Sequence, residues 1–472
     1  MRHESGLRRK LGPVVAIAIA VAASSAGCTF NPAPASIPGL GGNGQIPGIG
    51  GGIGPVAPCE GLRCRQSTCR KGECAQQPCT GGALTRVMGK VYDPAGRVPL
   101  YNVSVYVPNK PLASYTDGPS CDGCATSLSG DPVVQATTDA TGSFVLGDVS
   151  GDVPSGADIP LVIQVGKWRR QITIPNVAAC TDTALDDPSL VRLPRNQQEG
   201  HLPKIALTTG GADALECLLR KIGVDDAEFT PTGGSGRINL FNGVGGTSSF
   251  DAAHGGASFT QVDPWWDDVA NLNRYDMILH SCEGTERPTN KSMAARQALQ
   301  AYANAGGRVF ASHWHNYWFE HGPTPWPGIA TFNHQADLND ITASIDTSFP
   351  KGVALAQWLL NVNASTTLGQ LPLVGAQHTI DRVGSGQRWI YSTSPQSVQY
   401  LSANTPIGGQ SCGRVVLSDI HVSTGAGGDN DDDSDPSKPF PTGCRTTELS
   451  PQEKTLEFML FDLSACVVPD VG

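Results

Sequence analysis

Four of the ten histidines close apolar, strand-like runs. His280 ends Tyr275-Asp276-Met277-Ile278-Leu279, His313 and His315 follow Arg308-Val309-Phe310-Ala311-Ser312, and His421 follows Arg414-Val415-Val416-Leu417-Ser418-Asp419. Imidazole and carboxylate suit Zn or a similar divalent ion, so His313, His315, His280, His421 and Asp419 form a candidate metal set. With Glu283, the histidines His313, His315 and His280 could instead supply hydrolytic acid–base groups. A third reading makes them polar neighbours of Trp314, Tyr317 and Trp318 in a binding or structural cleft, and this is the leading expectation. Trp265, Trp266, Trp314, Tyr317, Trp318, Phe319 and Trp326 suit sugar or cell-wall fragments, although core packing explains such residues equally. Asp429, Asp431, Asp433 and Asp435 alternate in a Gly/Ser/Pro-rich loop and could hold Ca, but Gly at the sharp turn and a closing Glu are missing. A solvated acidic loop is the plainer expectation there.

Fourteen cysteines imply an oxidising compartment. Cys59, Cys64, Cys69, Cys74 and Cys79 recur every fifth residue without histidines, which favours a small disulfide knot over a zinc knuckle. Five is odd, so one of them pairs outside the ladder or stays free. Cys412 and Cys444 flank the acidic loop and are expected to pair. Cys121-x-x-Cys124 lies in a Gly/Ser/Asp loop and is expected to close locally. Cys282 sits in Ser281-Cys282-Glu283-Gly284, which has the look of a nucleophile turn, yet a Cys217–Cys282 disulfide is expected over a reactive thiol.

These groups need elements to position them. Lys204-Ile205-Ala206-Leu207-Thr208-Thr209 reads as a buried strand ending at Gly210-Gly211. Asp213 is placed to cap a helix whose Leu215, Leu218, Leu219 and Ile222 share one face, with Gly223 as its stop. A second helix from about Asn290 turns Ala295, Leu299, Tyr302 and Ala303 inward and ends at Gly306-Gly307. Ser450-Pro451-Gln452-Glu453 makes a capping box for a terminal helix with Leu456, Met459, Leu460 and Leu463 inward. Alternating strands and helices imply a parallel sheet whose carboxyl ends share one rim, at Thr208/Thr209, His280/Cys282/Glu283, His313/His315 and Asp419/His421. Upstream, Val103-Ser104-Val105-Tyr106-Val107 alternates as a half-buried strand, and short strands with Gly/Asp turns indicate a β-sandwich.

Two resemblances rest on these residues. Gly89-x-Val91-x-Asp93-x-x-Gly96, the Val103/Val105 strand and Thr138-Asp139-x-x-Gly142-x-Phe144 resemble the carboxypeptidase regulatory-like, transthyretin-like sandwich, which implies a spacer or adhesion role. Tyr275-Asp276-x-Ile278, Gly306-Gly307-Arg308-Val309 and Gly413-Arg414-Val415 resemble class I glutamine-amidotransferase-like domains of the ThuA-like branch. That likeness implies a flavodoxin-like, three-layer α/β fold. In that family the strand after Gly-Gly delivers a cysteine nucleophile on a sharp turn; here Ser312-His313-Trp314-His315 holds the place.

Arg2, Arg8, Arg9 and Lys10 precede an apolar run from Val14 to Ala23 and then Ser24-Ser25-Ala26-Gly27-Cys28, the pattern of a secretory signal. Ala-Gly-Cys resembles a bacterial lipobox, which implies lipidation of Cys28, and Thr29 favours the outer membrane. The expected order is a signal peptide (1–27), a Gly/Pro-rich tether (28–58), a Cys-rich knot (59–80), the sandwich (85–178) and the α/β domain (200–468). A net charge of −10 supplies no basic field for nucleic acid. The composite expectation is an outer-membrane-anchored envelope lipoprotein with a binding or structural role, with a metal-assisted hydrolase or carbohydrate-processing enzyme as the alternative.

Overall fold

The computed structural model describes residues 61–62, 79–121, 128–148, 151–422, 434–445 and 447–467. The signal segment, Cys28, the tether, most of the Cys-rich knot, Cys124, Asp429, Asp431 and Asp433 lie outside the described residues.

Residues 86–201 build two sheets. Arg86–Lys90 lies at the centre of a three-stranded sheet, antiparallel to Ser143–Leu146 and parallel to Asp182–Leu185. A five-stranded antiparallel sheet runs Pro132–Thr137, Ser104–Pro108, Gly156–Val165, Trp168–Val177, Gly200–His201. Val87, Val91, Val103, Val105, Leu146, Leu161 and Ile163 are fully buried in one shared core. The Ser104–Pro108 strand is not half-buried as its alternation suggests, because its outer face is covered as well. Tyr106 on that face is buried and donates to Gln164 Oε1 at 3.2 Å. Nearby, Arg169 bonds Ser129 Oγ and Ala113 O and lies 4.2 Å over the Tyr115 ring.

The larger sheet has eleven strands. We label nine of them: β1 (Ile205–Thr208), β2 (Ile238–Asn242), β3 (Met277–His280), β4 (Arg308–Ser312), β5 (Asn339–Ile345), β6 (Gln370–Ala376), β7 (Gln387–Thr393), β8 (Gln396–Thr405) and β9 (Gly413–Ser418). Their order is β2-β1-β3-β4-β9-β8-β7-β5-β6. The β2-to-β9 half is parallel, whereas β8, β7, β5 and β6 are antiparallel. The sheet is therefore mixed, not parallel throughout. The antiparallel half needs no helical crossover between β7 and β8, which join through a tight turn.

Helix α1 (Leu215–Lys221) follows β1, α2 (Met293–Asn304) lies between β3 and β4, α3 (Pro350–Asn361) follows β5, and α4 (Pro451–Ser464) ends the fold. The expected inward residues of α1, α2 and α4 are buried. Ser292 caps α2 by accepting from Ala295 N, and the Ser450/Glu453 capping box of α4 is formed. Asp213 does not cap α1, which starts without a side-chain cap; its carboxylate is used elsewhere.

The smaller sheets and the large one share their packing. Trp358 Nε1 donates to Pro99 O at 2.7 Å, Tyr101 stacks on Phe458 at 5.6 Å, and Trp168 meets Phe461 edge-on at 5.7 Å. Gly166 turns the hairpin at φ +52° directly against the Ser464 carbonyl, where a side chain would collide.

Three disulfides correct all three expected pairings: Cys79–Cys180, Cys121–Cys412 and Cys217–Cys444. Cys412 directly precedes β9, whereas Cys444 is bonded to α1 through Cys217. Cys121 lies beside the entry edge, where Ser120 packs on Gly306, and bonds Cys412 rather than closing a loop with Cys124. Cys217 on α1 meets the returning segment, leaving Cys282 free and buried. Cys79, the ladder cysteine among the described residues, pairs outside the ladder with Cys180. Non-reducing peptide mapping of secreted protein should recover the Cys121–Cys412 cross-link, and a Cys412–Cys444 peptide would overturn this pairing. Cys121→Ala, which opens a 291-residue separation, should cost about 6 kcal/mol in the chain-entropy estimate.

Candidate functional site at the carboxyl rim

The rim is built from the turns after β1, β3, β4 and β9. After β1, Gly210 lies so close to the Ser281 and Cys282 carbonyls that no side chain fits, and Ala212 N donates to Cys282 O at 3.0 Å. Asp213 then gathers three strand ends. It accepts from Ser312 Oγ at 2.6 Å and from Val422 N at 2.8 Å, and burial holds its carboxyl above the usual range.

After β3, Glu283 and Lys291 form an ion pair at 2.7 Å with essentially no solvent contact. Glu283 also accepts from Val244 N at 3.0 Å, and Lys291 donates to Glu286 O at 2.7 Å. Glu283 is thus committed to holding loops and is not placed as a free acid or base. Burial, partly opposed by Glu283, lowers the Lys291 pKa.

The four rim histidines divide into two pairs. His280 and His315 stack at 4.8 Å beneath Trp318 and beside Trp266. His315 uses both nitrogens: Nδ1 accepts from Trp318 Nε1 at 2.8 Å, which leaves Nε2 to donate to Ser281 O at 2.9 Å. It has no lone pair left for a metal. His280 Nδ1 faces Thr208 Oγ1 at 3.1 Å. Asp419 is likewise occupied, accepting from Thr379 N and Thr379 Oγ1 at 2.8 and 2.7 Å, with burial raising its pKa to about 6. His315 and Asp419 therefore leave the candidate metal set, because hydrogen bonds already hold them; His280 keeps Nε2 without a partner but is not among the donor atoms that converge on one point.

The other pair, His313 and His421, lies with ring centroids 5.2 Å apart and is joined by Cys282. One donor atom from each of Cys282, His313 and His421 lies within 4.8 Å of the others, and all three residues are buried. Cys282 Sγ is 3.6 Å from His313 Nδ1, and Gly284 N approaches the sulfur at 3.5 Å. His313 takes φ +38°, a left-handed conformation that side-chain-bearing residues seldom adopt. The turn after β4 thus carries an imidazole, while the thiol stands one strand away. Burial pushes the Cys282 thiol up to about 12 and all four imidazoles down, so a thiolate–imidazolium pair is not favoured.

A second group, overlooked in the sequence, lies nearer the surface. His334 Nε2 is 2.8 Å from Glu320 Oε2 and 3.5 Å from Glu286 Oε1, with His321 beside Glu320. The density of His and Glu across 313–321 was the available signal; Glu286 and His334 carried none. The tryptophans are mostly core: Trp265, Trp266, Trp318 and Trp326 are buried, and only Trp314 and Tyr317 reach partial exposure.

No family model and no curated protein matches this sequence. Among solved structures it is similar to a putative ThuA-like protein from Bacteroides uniformis, with 11% identity over 46% of this chain and 82% of that one and a TM-score of 0.25. It is also similar to a type II cohesin–X–dockerin complex from Acetivibrio cellulolyticus, with 17% identity over 37% and 86% and a TM-score of 0.15. At these scores neither likeness bears on the reading of the site.

Lys291→Ala should destabilise the fold by about 3–5 kcal/mol in denaturant titration, because Glu283 is left as an uncompensated buried charge. A loss under about 1 kcal/mol would show the pair to be dispensable. Glu216 on α1 gives a pH test. It is buried, and desolvation raises its pKa from 4.5 to about 8. Between those values the unfolded chain has released a proton that the folded chain keeps. The contribution is therefore full below pH 4.5 and is lost as pH rises toward about 8, amounting to a few kcal/mol. Glu216→Gln should remove that slope; parallel stability–pH curves for variant and wild type would refute the assignment.

Proposed function

We propose that the chain is an outer-membrane-anchored envelope lipoprotein whose folded body has a binding or structural role. In this reading the α/β layer has lost its family nucleophile. The observation that carries it is His313 at φ +38°, standing on the turn where the amidotransferase resemblance expects cysteine, with the free thiol Cys282 wholly buried on the neighbouring strand end. The order β2-β1-β3-β4-β9 supports a flavodoxin-like layer, and the two smaller sheets with their shared core support a preceding β-sandwich. Disulfides that span hundreds of residues suit an oxidising envelope compartment, where a cross-linked body resists reduction and shear. Partly exposed Trp314 and Tyr317 offer faces for cell-wall or other carbohydrate. A second reading, a hydrolase, is favoured by the Glu286–Glu320–His334 group, whose side chains are about a quarter exposed.

Cys28→Ser should move the protein from the outer-membrane pellet to the soluble envelope fraction, because acyl chains on that cysteine supply the attachment. Sedimentation of the variant with outer membrane would overturn the anchor. Glutamine hydrolysis by the full chain, abolished by Cys282→Ala, would overturn loss of the nucleophile.

A further inference from the structure

We propose that Cys282, His313 and His421 bind one Zn2+ ion at the carboxyl rim. This goes beyond the binding or structural reading and holds whether or not the protein is a catalyst.

Topology brings the three ligands together. They follow β3, β4 and β9, which are consecutive neighbours in the sheet with His280 level with Ala311 and Ser312 level with Ser418. Adjacent strands lie about 4.8 Å apart, so side chains just past their carboxyl ends reach one point. The spacing fits the ion. Ligands at about 2.3 Å (sulfur) and 2.0 Å (nitrogen) around a tetrahedral centre lie about 3.5 Å from each other. Cys282 Sγ and His313 Nδ1 are 3.6 Å apart, and the His421 donor lies within 4.8 Å of both.

An independent observation points to a ligand here. His421 is 4% exposed, yet neither of its ring nitrogens has a hydrogen-bond partner. Buried polar atoms in folded proteins are nearly always satisfied, and a metal bond would satisfy this ring. His315, by contrast, spends both ring nitrogens on Ser281 and Trp318. The strained backbone of His313 also gains a purpose, since strain of this kind persists where the surroundings hold a functional side chain in place.

The donor set selects the ion. One thiolate and two imidazoles suit Zn2+, whereas Ca2+ and Mg2+ require oxygen ligands. Binding displaces the thiol proton to solvent and leaves a thiolate on the metal. Asp213 lies within electrostatic reach of both Cys282 and His421 and adds a negative charge opposite the ion. Three protein ligands leave the fourth tetrahedral position open.

The test uses the full chain, secreted and exchanged into Zn2+ with excess metal removed. Elemental analysis should give about one Zn2+ per chain. X-ray absorption should show a single sulfur at about 2.3 Å with nitrogen at about 2.0 Å. Replacement by Co2+ should add a near-ultraviolet thiolate charge-transfer band. Cys282→Ser should abolish that band, and both it and His421→Gln should weaken Zn2+ binding at least about tenfold. Glu320→Gln should leave binding unchanged. Several sulfur ligands would place the ion in the Cys59–Cys79 ladder and overturn the proposal. So would binding lost only in Glu320→Gln, no stoichiometric Zn2+, or copper with an intense visible thiolate band. The sulfur count is read on the wild type, so the proposal remains decidable if a variant does not fold.

Discussion

One buried ion pair underlies the geometry of the rim. Glu283 and Lys291 approach to 2.7 Å with side chains at most 1% exposed. At an effective dielectric of about 20 their attraction is about 6 kcal/mol, while removing each charge from water costs several. The pair alone roughly breaks even. Its further bonds tip the balance: Glu283 to Val244 N, Lys291 to Glu286 O, and the ammonium 5.7 Å from the Trp266 ring and 5.9 Å from Trp318. These bonds fix the turn that carries Ser281 and Cys282. They also fix the floor on which His280 and His315 stack.

That floor explains why imidazoles of one rim have separate roles. Burial away from water, and then the nearby Lys291 ammonium, disfavours a protonated imidazole, and both His280 and His315 are pushed well below their ordinary range. They serve as neutral, hydrogen-bonded aromatic surfaces within a tryptophan layer. His313 and His421 stand beyond it, over the strand ends, where Asp213 ties the β1, β4 and β9 turns together. Position relative to Lys291 and Asp213, more than residue type, decides which histidines remain available.

Much of the parallel half was legible because its signals are local. The apolar runs of β1, β3, β4 and β9, the inward stripes of α1, α2 and α4, and the Ser450/Glu453 cap each lie within a few residues. The antiparallel strands β5 to β8 were not read, since Gln- and Ser-rich strands such as Gln396–Thr405 gain burial only from distant neighbours. The disulfides failed for a related reason. Cys412 and Cys444 look paired along the chain, but β9 lies between them, and which sheet edge a cysteine faces is a property of topology. The histidine rim was located correctly as a set of strand ends. Its division could not be read, because it depends on Trp318 Nε1 reaching His315 and on Thr379 claiming Asp419.

The turn after β4 connects fold to function. A left-handed residue there throws its side chain over the sheet edge, and it does so for any residue that accepts the strain. With cysteine at such a point a fold gains an exposed nucleophile; with His313 it gains a fixed imidazole. The thiol at Cys282 faces that imidazole from the next strand, with the backbone of Gly284 and Trp314 against the sulfur. Burial raises the Cys282 thiol to about 12, which disfavours the thiolate at neutral pH, and the side chain has no solvent contact. The same enclosure favours a coordinating role, since a metal ion needs only a point between donors. The residue at one strained turn thus decides what the neighbouring strand ends can hold together.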